Sequence, residues 1–116
     1  METIVVPLLV SIAGGAGAVL RFYLAQWQNK LPWGILTANT VASFILGVFF
    51  GNSNPALVII VSAFAGGLST FSSFSAQTSQ FLTVGLRLRA FFNMILNLVI
   101  PLIACWLGAL AGALVN

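Results

Sequence analysis

Fifteen consecutive residues, Gly66 to Gln80 (GGLSTFSSFSAQTSQ), hold seven hydroxyl side chains, two glutamines and a Gly-Gly pair, directly after the apolar run Ala56 to Ala65. At helical spacing Phe71, Phe74, Ser75 and Thr78 fall at i, i+3, i+4 and i+7, so rings and hydroxyl donors share one uncharged face. A cation pathway would favour carboxylates or carbonyls, and a proton relay would need titratable groups. This face has neither. Hydroxyl donors suit a small anion, and so do ring edges, because an aromatic quadrupole is positive at its rim. The competing role for the same residues is plain packing, with the serines bonded back to their own helix carbonyls.

Gly66-Gly67 ahead of Ser69-Thr70 predicts a helix interruption, since glycine lets the backbone leave helical geometry and nearby carbonyls then lose their partners. Freed carbonyls inside a bundle make a cation site; close packing through small residues is the alternative. Asn39, Ser43, Gly47 and Gly51 repeat every four residues, giving an apolar segment one small or polar strip. Asn39 is its strongest hydrogen-bonding side chain, suited to interhelical contact or to donating amide hydrogens to a desolvated anion. Ser11/Gly15 and Gly14/Ala18 are small-xxx-small pairs, with Gly17 and Arg21 one turn apart on an adjoining strip. Asn93 and Asn97 lie at i, i+4, Pro101 leaves the Asn97 carbonyl without an amide partner, and Gly108/Gly112 form a GxxxG.

The elements that must position these residues follow from composition. Of 116 residues 60% are hydrophobic and only 4% charged, too few charges for the exterior of a soluble domain. About 20 apolar residues of helix cross a bilayer, and the chain divides into runs of about 3–26, 33–50, 55–84 and 90–115. The breaks fall at Trp27-Gln28-Asn29-Lys30-Leu31-Pro32, at Gly51-Asn52-Ser53-Asn54-Pro55 and at the basic stretch Gly85-Leu86-Arg87-Leu88-Arg89. The expected fold is one all-α membrane domain, residues 1–116, of four transmembrane helices with the third broken near Gly66-Thr70. The single cysteine, Cys105, and the absence of histidine exclude a disulfide framework and a side-chain transition-metal site. Four basic residues do not make a nucleic-acid patch.

Three segments resemble the Fluc/CrcB family of fluoride channels: Gly14-Gly15-Ala16-Gly17-Ala18-Val19-Leu20-Arg21, Trp33-Gly34-Ile35-Leu36-Thr37-Ala38-Asn39, and Gly66-Gly67-Leu68-Ser69-Thr70-Phe71-Ser72-Ser73-Phe74-Ser75. Length and segment order agree over nearly the whole chain. The resemblance implies passive export of fluoride across a bacterial plasma membrane by an antiparallel dimer with two pores and a structural sodium ion. It implies that the Gly66 and Ser69 carbonyls bind the sodium, that Phe71 and Phe74 give ring edges to the pore, and that Asn39 contacts fluoride. Thr70, Ser72 and Ser75 match the hydroxyl positions beside the rings, and Arg21 matches the arginine at the cytoplasmic mouth. The chain departs from the family pattern at Gln77, where many members carry glutamate, and at Asn97-Leu98-Val99-Ile100-Pro101, where members often show a Gly-Ser pair.

Two other function classes compete. A small four-helix drug/proton antiporter needs a carboxylate within the membrane, and the only acidic residue is Glu2. A structural, non-conducting partner of a paired channel is the other alternative. Charge placement bears on it: Lys30, Arg87 and Arg89, with Arg21 nearby, lie on one side, while the termini and the 52–55 turn carry no Lys or Arg. That bias predicts one fixed orientation with termini outside. An antiparallel dimer then requires a related second subunit, with a homodimer as the alternative.

Overall fold

The computed structural model describes residues 2–116, in which five helices and no strand are found. They are α1 (Glu2–Ala25), α2 (Trp33–Phe49), α3 (Pro55–Leu68), α4 (Phe71–Thr83) and α5 (Arg87–Val115). Three stretches are long and apolar enough to cross a membrane: Thr3–Ala25, Pro55–Thr83, which spans α3 and α4, and Arg87–Val115. The second expected span, Trp33–Phe49, is a shorter apolar helix of 17 residues. At ~1.5 Å per residue it is about 26 Å long, a little under the hydrocarbon thickness of a bilayer.

Local chemistry sets the helix ends. Pro55 supplies a fixed φ in the first turn of α3, and Asn54 caps that turn by accepting from Leu57 N at 3.3 Å. Gly85 stops α4 with φ +83, a left-handed conformation that costs glycine little. The last helix begins at Arg87 rather than at residue 90. The sequence reading places Arg87 and Arg89 in a short basic loop, yet arginine is a good helix former and only Gly85 and Leu86 are needed to make the turn.

α2 is the hub. It packs along α5 and also touches α1, α3 and α4, while α1 lies mainly against α3. Close backbone approach makes both principal seams. A Cβ on Gly47 would overlap Cys105 O, and one on Gly108 or Gly112 would overlap Phe44 O or Val48 O. Between α1 and α3, Gly17 faces Phe64 O and Gly67 faces Gly14 O in the same way. Gly15 has no neighbour within 4 Å. The packed strip of α1 is therefore Gly14, Gly17 and Ala18, and the Ser11/Gly15 pair does not make it; the Ser11 hydroxyl donates to Pro7 O at 2.9 Å. Without a hydrophobic drive between helices in lipid, such seams rest on dispersion across short distances. The small core they enclose is Ala38, Ala42, Ala65 and Leu68, flanked by Leu24 and Phe64.

Large apolar side chains on α1 and α5, among them Ile4, Ile12, Phe22, Leu102 and Trp106, point outward. This is the inverse of a soluble surface and suits a hydrocarbon solvent. The C-terminal end of α5 is tied to the turn after α2: Asn116 Nδ2 donates to Val48 O at 2.6 Å, and Asn52 Nδ2 donates to Asn116 Oδ1 at 2.8 Å. The chain's end and the 50–54 turn therefore share one end of the bundle.

Candidate functional site

The break predicted near Gly66-Thr70 is two residues long. α3 ends at Leu68, α4 starts at Phe71, and Ser69 and Thr70 are extended, with ψ of 156° and 119°. In an unbroken helix Thr70 N–H would bond Gly66 O, and Ser73 N–H would bond Ser69 O. Both amides are diverted to side-chain oxygens. Thr70 N donates to Asn39 Oδ1 at 2.7 Å, and Ser73 N donates to Thr70 Oγ1 at 3.1 Å. The carbonyls of Gly66, Gly67, Leu68 and Ser69 are all left without their helical amides, and the pair that the resemblance implied as cation ligands, Gly66 and Ser69, is among these four.

Asn39 holds the break as a neighbouring strand would. Its Oδ1 accepts from Thr70 N while its Nδ2 donates to Thr70 O at 3.3 Å. Because Thr70 N–H can only donate, the orientation of the Asn39 amide is fixed, and that choice propagates. Asn39 Nδ2 also donates to Asn97 Oδ1 at 3.0 Å; Asn97 Nδ2 donates to Asn93 O at 2.9 Å and to Asn93 Oδ1 at 3.1 Å. Asn93 Nδ2 then donates to Thr78 Oγ1 at 2.9 Å, and the Thr78 hydroxyl donates to Phe74 O at 2.8 Å. One directed ladder thus ties α2, the break, α5 and α4 together. Asn39, Asn93 and Asn97 are all buried, where a satisfied network stiffens its surroundings and an unsatisfied amide is costly. The sequence offers Asn39 either interhelical contact or donation to an anion; here both of its amide hydrogens are directed to protein oxygens.

Beside the ladder lies an open cavity of about 260 Å³, walled by Asn39, Ser43, Ser69, Thr70, Phe71, Phe74, Asn97, Leu98 and Pro101. None of these carries a charge. The Phe71 and Phe74 rings meet edge to face, with centroids 5.0 Å apart at 81°. They differ in environment: Phe74 is buried at 8% exposure, whereas Phe71 is 74% exposed and projects from the subunit.

The structure therefore gathers Asn39, Thr70, Phe71, Phe74 and Ser69 at one cavity. Ser72 and Ser75 follow on α4 outside its wall; Ser75 Oγ donates to Ser72 O at 3.1 Å, and Ser72 Oγ lies 3.4 Å from Thr70 Oγ1. Arg21 is half-buried on α1 and is not part of the wall. Gln77 Oε1 is buried with no hydrogen-bond partner. Two features escaped the sequence reading. The sequence marks Asn97 as half of an i, i+4 pair, as a carbonyl freed by Pro101 and as the start of a departure from the family pattern, but not its contact with Asn39, 58 positions away. Ser43 was seen only as part of a small-residue strip.

These features define a class: a multi-pass helical membrane protein whose interrupted helix borders a neutral, hydrogen-bonding cavity. Residues 8–109 match the family described as "CrcB-like protein, Camphor Resistance (CrcB)". The chain belongs to the CrcB family. It is 39% identical over 111 residues to the fluoride-specific ion channel FluC of Pyrococcus abyssi, covering 87% of this chain and 90% of that one. To the protein of that name from Nitratiruptor sp. it is 39% identical over 103 residues, 80% of each chain. To that from Opitutus terrae it is 37% identical over 123 residues, covering 94% and 93%.

Proposed function

We propose that this protein is a subunit of a passive, fluoride-selective channel of the cell membrane that lets the ion leave the cytoplasm. The observation that carries this reading is the uncharged cavity at the helix break, lined by hydroxyl-bearing residues and two phenyl rings in a chain whose relatives are named fluoride channels. Fluoride is strongly hydrated, so a pore must offer replacement donors as water is shed. A fixed cation or carboxylate would trap or repel it; neutral donors and ring edges do neither. Export down a gradient needs no catalytic group, and the protein acts as a channel rather than an enzyme. Expression, together with its partner subunit where one is required, in a strain lacking its own fluoride exporter tests the reading: growth in millimolar fluoride should be restored, and unchanged sensitivity of the strain carrying the complete assembly would count against it.

The family resemblance implies assembly as an antiparallel dimer, in which a second subunit would cover the exposed Phe71 ring beside the cavity. A structural sodium ion fits the same region. The Gly66 and Ser69 carbonyls have lost their helical amides, and a hard cation takes oxygen ligands. Among the described residues no group of His, Cys, Asp or Glu could hold a metal instead. Bound there, sodium would offset the dipoles of carbonyls that lack amide partners.

The partner is a related chain of opposite charge bias. The C-terminal end is hydrogen-bonded to the 50–54 turn, an end without Lys or Arg, while Lys30, Arg87 and Arg89 occupy the opposite end. Short-loop Lys and Arg remain in the cytoplasm, so this chain inserts with its termini outside. The unpartnered Gln77 carbonyl suits a subunit specialised for one half of such a pair.

A further inference from the structure

The geometry points to the Ser43 hydroxyl as a direct fluoride donor in this cavity, an inference that rests on the fluoride reading above. Ser43 stands one turn beyond Asn39 on α2, half-buried, in the same wall. Serine and threonine hydroxyls within helices ordinarily donate to a carbonyl of the preceding turn. In this protein Ser11 does so to Pro7 O, Thr40 to Leu36 O, Thr78 to Phe74 O and Thr83 to Ser79 O. Ser43 takes no such bond to Asn39 O, nor to any other described residue; the hydroxyls of Thr37, Ser62, Ser73 and Ser79 are likewise without one, but of these five only Ser43 lines the cavity. The amides beside it have nothing to spare. Both hydrogens on Asn39 Nδ2 go to Thr70 O and Asn97 Oδ1, and both on Asn97 Nδ2 go to Asn93. An anion in the cavity therefore finds its donors among hydroxyls. Those of Ser69 and Thr70 sit on the two-residue break, whereas Ser43 is carried by an intact helix.

In this view the asparagines are positioning residues. They hold the break and the cavity wall still, and Ser43 touches the ion. A hydroxyl on a rigid helix loses little freedom when it binds, so its contribution survives desolvation of the site.

Fluoride efflux from liposomes separates the roles, using the purified channel with its partner subunit where one is required. Ser43→Ala and Ser43→Cys should each lower the fluoride flux about tenfold or more, since a hydrogen bond to a charged group is lost. Ser43→Thr keeps the hydroxyl and should keep most of the flux. Because that hydroxyl makes no internal bond, the thermal unfolding temperature of Ser43→Ala should match wild type. Wild-type flux in Ser43→Ala and Ser43→Cys would overturn this inference alone, as would a marked loss of stability in Ser43→Ala. Absence of flux from the wild-type assembly would remove the fluoride reading and this inference together.

Discussion

Thr70 N donates to Asn39 Oδ1 at 2.7 Å, a buried bond between residues 31 positions apart that replaces the helical bond to Gly66 O. The helix break is thus set from α2 as much as by the glycines that permit it. Asn39→Ala should leave Thr70 N–H buried without an acceptor, at a cost of about 1–3 kcal/mol. Asn39→Asp keeps that acceptor but turns a second carboxylate oxygen toward Thr70 O and Asn97 Oδ1, and adds a charge that repels an anion. Thermal unfolding in detergent should show both variants destabilised, and Asn39→Asp should not conduct.

The ladder predicts coupling between distant positions. Asn39→Ala and Asn97→Ala each break the same Asn39–Asn97 bond, so their costs should not add. A double-mutant cycle should give a coupling of roughly 0.5–2 kcal/mol, within the range for hydrogen bonds between membrane helices. Additive effects would mean the two amides do not share that bond.

Glycines sort by what they face. Gly108→Ala and Gly112→Ala should be clearly destabilising, because the new methyl group meets the α2 backbone at Phe44 O or Val48 O. Gly15→Ala has open space around it and should be neutral or stabilising by up to about 1 kcal/mol through helix propensity. Unfolding temperatures of the three variants, compared side by side, check the α2–α5 seam, with Gly15→Ala as the control outside it.

Replacing sodium by a bulky organic cation tests the freed carbonyls. Size-exclusion profiles or flux should show a weaker assembly, restored when sodium returns. Ser69→Ala should keep the sodium response, because the carbonyl and not the hydroxyl is the proposed ligand. A dimer indifferent to sodium would exclude the ion from the break.

Orientation gives a separate expectation. A C-terminal reporter active only in the cytoplasm should stay silent, since Lys30, Arg87 and Arg89 hold the opposite end inside. Equal signal from both orientations would restore the homodimer.

Much of this architecture was legible because its causes are local. Pro55 after Asn54, Gly85 after α4 and the polar run after Gly66-Gly67 act within one helical turn, and the structure puts element ends beside each. The start of α5 at Arg87 was not legible because Gly85 marks a turn without fixing how many residues that turn takes. The α1 strip was misjudged because small residues at i, i+4 occur on more than one face, and only the partner helix shows which face is used. The ladder was out of reach for a physical reason. Asn39 meets Thr70 and Asn97 through tertiary packing, and nothing in the spacing of Asn93 and Asn97 says which helix they address. The free hydroxyl of Ser43 was equally hidden, because the bonds that consume its neighbours' hydrogens are long-range.

The central claim is that fluoride crosses beside the break, past the buried ring of Phe74. Efflux of fluoride from liposomes, followed with an ion-selective electrode, tests it most directly when wild type and Phe74→Ile are compared in the same assembly. Isoleucine keeps apolar bulk at a buried position but removes the ring edge, and the flux should fall about fivefold, given that contacts governed by the aromatic quadrupole are worth roughly 1 kcal/mol. Chloride should pass through neither. A folded wild-type assembly that releases no fluoride, or a Phe74→Ile variant that conducts as well as wild type, would contradict the account.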